Sequence, residues 1–115
     1  MYNVYLVSSE VNGQKLYKIG YTRRDVWDRI REFKIGNASQ FNIIDVYHSK
    51  WGTKIERHLH TFYKVHKVDG EWFNLTIEQL IHFRRICEIS HNNFELVDKY
   101  NTYVIDRGGI SKIKF

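Results

Sequence analysis

The apolar positions of the first 21 residues fall into two short runs, Val4-Tyr5-Leu6-Val7 and Leu16-Tyr17-Lys18-Ile19, both rich in β-branched and aromatic side chains. Between them lies Val11-Asn12-Gly13-Gln14, whose Asn-Gly pair suits a type I′ turn, so this stretch reads as a β-hairpin. The rhythm then changes. Val26, Ile30 and Phe33 recur at helical spacing and predict a helix from Asp25 to Lys34, with Asp25 as its N-cap. Phe41 to His48 reads as a third strand. Ile55, Leu59 and Phe62 predict a second helix over Thr53 to Tyr63, where Thr53-Lys54-Ile55-Glu56 fits a capping box. Asp69-Gly70 makes a turn before Glu71-Trp72-Phe73-Asn74-Leu75, and Thr76-x-x-Gln79 repeats the capping pattern at the start of a third helix. Ile77, Leu80, Ile81, Arg84 and Cys87 mark that helix's buried stripe and its edge. After His91-Asn92-Asn93 the chain reads as strand-like around Tyr100 to Ile105, then ends in Gly108-Gly109 and a lysine-bearing tail with Lys112 and Lys114. The predicted fold is α/β of the α+β type, a small three-stranded antiparallel sheet flanked by helices. Residues 1–90 form the domain and residues 91–115 a C-terminal extension.

Composition narrows the function. At 115 residues with 43% hydrophobic side chains, the chain supports one modest core. Lys and Arg number 18 against 13 Asp and Glu, a net charge of +5 that favours polyanionic partners. The single cysteine, Cys87, excludes an internal disulfide and a cysteine-rich zinc site. No apolar run approaches the roughly 18 residues that span a bilayer, and the first residues lack a signal-peptide pattern, so an intracellular protein with no membrane partner is expected.

Strand geometry then groups the candidates. Lys18 and Gly20 share one face of the second strand; Tyr17, Ile19 and Tyr21 share the other. If the Lys18 face looks toward the first helix, Lys18, Arg29 and Tyr5 converge. Glu56 supplies a carboxylate suited to a hard divalent cation. Arg23, Arg24, Arg29, Arg31 and Lys34 crowd the first helix and the loop before it.

Val4-Tyr5-Leu6, about ten residues of hairpin, Tyr17-Lys18-Ile19-Gly20, Arg29 nine residues past that glycine, and Glu56-x-x-x-His60 followed by Gly70-Glu71-Trp72-Phe73 together resemble the GIY-YIG nuclease superfamily. The likeness is to its small phage- and virus-rich branch with Lys-Ile-Gly in place of Tyr-Ile-Gly, and it covers about residues 2 to 75. It implies a DNA endonuclease that cuts phosphodiesters in one step with a single Mg²⁺ or Mn²⁺ on Glu56. Tyr5 would act as general base or orient the water, and Arg29 would contact the phosphate. Lys18 takes the second tyrosine position, and Tyr17 beside it stays among the catalytic candidates with its role open. Tyr21 matches a position that lends a polar group to the site, and Asn74 matches an asparagine near the metal.

Each residue also has a plainer reading. Tyr5 suits a cross-strand pair, Lys18 an edge-strand gatekeeper, and Glu56 the capping box. His60 divides evenly between orienting a ligand and bonding the core. Arg23, Arg24 and Arg31 divide between DNA contact and ordinary solvated charge. The alternative to an enzyme is a catalytically inactive nucleic-acid-binding module of the same fold. In either case a monomer or weak homodimer with DNA as partner is expected, cytoplasmic or wherever its target DNA resides.

Overall fold

The computed structural model describes residues 1–33 and 40–106, with 102–106 as backbone alone. Its elements run β1 (Tyr2–Val11), β2 (Gln14–Thr22), α1 (Val26–Ile30), β3 (Asn42–Ser49), α2 (Gly52–Phe62), β4 (Lys67–Asp69), β5 (Trp72–Phe73) and α3 (Ile77–Asp106). The strands form one antiparallel sheet in the order β3-β1-β2-β5-β4. The α+β class and the three predicted strands are present, and two short strands extend the sheet beyond β2.

The hairpin follows from its turn. Asn12 and Gly13 both adopt positive φ, 53° and 79°, the pairing a type I′ turn requires. Val11 therefore faces Gln14, and the register runs outward to set Tyr5 opposite Gly20. Alternation then sorts the side chains into two cores. Tyr5, Val7, Leu16, Val26, Ile30, Phe41 and Trp72 pack between the sheet and α1. Val4, Leu6, Tyr17, Ile19, Ile55, Leu59, Tyr63, Phe73, Phe83 and Cys87 pack on the opposite face against α2 and α3.

Three local expectations change, and the Thr76 cap holds. Helix α1 is shorter than predicted: Asp25 caps it, its Oδ1 accepting from the Trp27 amide at 2.9 Å, but the amides of Glu32 and Phe33 bond only three residues back. That tightened turn brings the Phe33 ring to 6.2 Å from Tyr5. Lys34 lies outside the described residues.

Thr53 does not cap α2. The helix begins at Gly52 after Trp51, with no side-chain cap, and Ser49 Oγ accepts from the Trp51 amide at 2.9 Å instead. Glu56 therefore has no capping role.

Thr76 does cap α3. Its amide donates to Gln79 Oε1 at 2.8 Å, and its Oγ1 accepts from the Gln79 amide at 3.2 Å.

The strand expected around Tyr100 to Ile105 is instead helix, because α3 continues unbroken past His91-Asn92-Asn93. Tertiary contacts hold it there. His91 bonds Ser49 at 2.7 Å, Phe94 packs on Trp51, and Glu95 pairs with Lys50 at 3.1 Å. Gly108, Gly109, Lys112 and Lys114 lie outside the described residues.

Candidate active site

The site forms where β5 stops pairing with β2. Tyr17 and Lys18 pair with Phe73 and Trp72, and beyond them the Ile19 amide donates to the Glu71 carbonyl at 3.2 Å. At this edge, side chains from both faces of the sheet reach one another.

From the α1 face come Tyr5, Lys18 and Arg29. A Cβ on Gly20 would run into the Tyr5 hydroxyl and ring, so only glycine lets the phenol lie flat across β2. Lys18 is an inward-facing lysine, its side chain 13% exposed. Its ammonium lies 5.0 Å from the Phe33 ring centre and 5.3 Å from that of Trp72, and 3.1 Å from the Glu71 carboxylate. Arg29 stacks on Phe33 at 5.2 Å and reaches Glu32 at 3.3 Å.

From the α2 face come Gly52, Glu56 and His60, one turn apart along one side of the helix. His60 Nε2–H donates to the Ile19 carbonyl at 2.9 Å, with its ring edge-on to Phe73. Glu56 Oε2 lies 3.8 Å from the same nitrogen. One ligand atom from each of Glu56, His60 and Glu71 lies within 4.8 Å of the others. Burial raises the Glu56 pKa above the usual carboxylate range; His60 opposes this and Glu71 adds to it. Burial likewise pushes the Tyr5 phenol up to about 12, with Glu71 and Glu56 adding and Arg29 opposing.

Glu56 and Glu71 offer carboxylate oxygens, the donors a hard divalent cation such as Mg²⁺ or Mn²⁺ takes, while His60 Nε2 is engaged with Ile19. The cations of Lys18 and Arg29 beside them can meet a phosphate.

The structure thus gathers Tyr5, Lys18, Arg29, Glu56 and His60. It does not gather Tyr17, which is buried in the other core opposite Phe73, because adjacent strand residues point to opposite faces. Asn74 is exposed and is not part of the Glu56, His60 and Glu71 cluster; its amide donates to the His66 carbonyl at 2.9 Å. Tyr21 adjoins the site but its ring is 42% exposed and meets Tyr2 edge-on at 5.7 Å. Of the three flanking arginines, Arg24 holds Glu32 bidentately at 2.5 and 2.7 Å, and Arg31 holds Asp28 at 2.5 Å. Arg23 stacks on the Tyr2 ring at 4.7 Å and donates to its hydroxyl at 2.7 Å.

Glu71 has no assigned role in the sequence reading. Its signal there is its place in Gly70-Glu71-Trp72-Phe73, a segment that carries the resemblance but has no role attached to it.

The chain matches the family model of the T5orf172 domain over residues 3–88. No curated protein and no solved structure matches it.

Proposed function

This chain belongs to the T5orf172 domain family, a phage-derived domain associated with nuclease-like proteins, and from that footing we propose that it is a metal-dependent endonuclease that hydrolyses DNA phosphodiester bonds. The observation that carries the reading is the meeting of two carboxylates and two cations around the Tyr5 hydroxyl at one sheet edge. An ordinary surface separates such groups or pairs them off singly.

Glu56, with Glu71 beside it, would hold a divalent cation, which when bound supplies positive charge at the leaving oxygen. Lys18 and Arg29 bind the scissile phosphate and offset the charge that builds on its oxygens. A phenol held near 12 keeps its proton at neutral pH, so Tyr5 orients the attacking water by hydrogen bonding. His60, tied to the Ile19 carbonyl, fixes the α2 side of the site against β2 and is a positioning residue. The water oxygen joins phosphorus, the P–O3′ bond breaks, and a proton ends on O3′, leaving 5′-phosphate and 3′-hydroxyl ends.

The test is conversion of supercoiled plasmid to nicked or linear form with Mg²⁺ or Mn²⁺, wild type beside Glu56→Gln. Gln keeps the shape, and position 56 has no cap to lose. The wild type is expected to cut and the variant to be at least about 100-fold slower, with Mn²⁺ binding weakened in parallel. If neither cuts duplex, branched or single-stranded DNA while both bind it in low salt, the protein is a binding module and the enzyme reading fails.

A further inference from the structure

Helix α2 presents more than its carboxylate to β1 and β2. Gly52 lies one turn before Glu56 on the same side of the helix, and a Cβ there would collide with the Tyr2 side chain. Tyr2 is thus seated against α2 directly beside the Glu56 turn. The Tyr21 ring abuts Tyr2 edge-on, and Tyr21 follows Gly20, against which the Tyr5 hydroxyl rests. Arg23 covers the Tyr2 ring from outside. The result is a ledge of two phenol rings and one guanidinium plane, open to solvent at Tyr21 and Arg23, on the α2 face of the sheet beside the turn that carries Glu56.

Tyr21 is not needed by either core. It is exposed on a strand whose neighbours Gly20 and Thr22 are buried, and its ring contributes to neither cluster. An exposed π-face beside a guanidinium, on a chain of net charge +5, matches one ligand chemistry well: a nucleobase out of its stack, with its phosphate drawn by Arg23 and the basic surface. A base still stacked in a duplex presents only its edges and cannot use such a ledge.

We infer that the Tyr2–Tyr21–Arg23 ledge stacks an unpaired deoxynucleotide flanking the scissile phosphate, so that the substrate is single-stranded or locally opened DNA. This rests on the endonuclease reading for the word scissile, but the stacking is measurable without any cleavage.

The experiment uses the full chain carrying Glu56→Gln, so that the DNA stays intact, and measures fluorescence anisotropy at low salt. The probes are a labelled 12-nucleotide single strand, the same sequence as a duplex, the duplex with a two-base bulge, and the single strand as RNA. Expected is about tenfold tighter binding of the single-stranded and bulged DNA than of the duplex. Tyr21→Ala is expected to remove about tenfold of affinity for the unpaired probes alone, and Tyr21→Phe, which keeps the ring, to restore most of it. Equal affinity for duplex and single strand overturns the inference, as does a loss in Tyr21→Phe as large as in Tyr21→Ala, which would assign the hydroxyl and not the ring. Tighter binding of RNA than of DNA overturns the choice of nucleic acid. Circular dichroism of each variant separates loss of fold from loss of the ledge. Failure of the wild type to cut plasmid, branched and single-stranded DNA alike, with the unpaired-base preference intact, would sink the enzyme reading and leave this one standing.

Discussion

A single pair of residues, Tyr5 and Gly20, shows how tightly this site is built. The phenol is 1% exposed and lies over a glycine whose absent side chain is what makes room for it. In most strands glycine is a weak choice, and alanine there is neutral or better. Here Gly20→Ala is expected to cost about 1–3 kcal/mol, the usual penalty for forcing extra volume into a packed core, and to slow cleavage by displacing the hydroxyl. Urea unfolding measures the first and plasmid nicking the second. Adding Tyr5→Phe to Gly20→Ala removes the nearest obstructing atom and is expected to recover part of the stability but not the activity. A Gly20→Ala protein as stable as wild type would mean the ring has room to move. This pair was legible in the chain, because the Asn12-Gly13 turn pins the register and counting outward puts Tyr5 opposite Gly20. Glu71 was not. It arrives through a strand that pairs with β2 over only two residues, a non-local contact that no spacing rule encodes.

Among the elements, the two capping patterns make the same point more sharply. Thr53-x-x-Glu56 and Thr76-x-x-Gln79 look alike in the sequence, yet only the second is a cap. What decides is what precedes them. Ser49 and Trp51 start α2 two residues early, with Gly52 pressed on Tyr2, so Thr53 falls inside the helix. Thr76→Ala is therefore expected to cost about 1 kcal/mol. Thr53→Ala is expected to stay within about 0.5 kcal/mol of wild type in the same urea titration. A loss of equal size at both positions would return Glu56 to a capping role and weaken its assignment to the metal. Helix α3 carries the complementary lesson. Paired asparagines read locally as an end, but contacts from His91, Phe94 and Glu95 to the β3–α2 corner keep the backbone helical through them. Local patterns located the hairpin and the third strand. They misplaced the α3 stripe, where Ile77 and Ile81 are exposed and Phe83 is buried with Cys87, and put Phe62 of α2 inside when it is exposed. They also failed where a distant side chain supplied the deciding contact.

For the whole molecule, one sheet divides two cores, and each buries acids that stay neutral. Tyr63 and Cys87 lie on the α2–α3 side and Tyr5 on the α1 side, each pushed up to about 12 chiefly by burial. Unfolded, the thiol gives up its proton near 9 and the phenols near 10. Between those values and about 12 the unfolded chain binds fewer protons than the native one, so stability falls as pH rises. The slope is about 1.4 kcal/mol per pH unit for each group that has begun to ionise in the unfolded state. Cys87 acts first, because its unfolded value is the lowest of the three. The urea midpoint is therefore expected to hold up to about pH 8.5, to decline through pH 9.5, and to steepen above pH 10 as the tyrosines join. Cys87→Ala isolates the first stage. It starts from a lower stability, having lost packing in a filled core, but is expected to stay level until the tyrosines begin to titrate. Parallel curves for the two proteins between pH 8.5 and 9.5 would mean that the thiol ionises as readily folded as unfolded. The core beneath α3 would then admit water, and the buried wall behind Glu56 and His60 would not be dry.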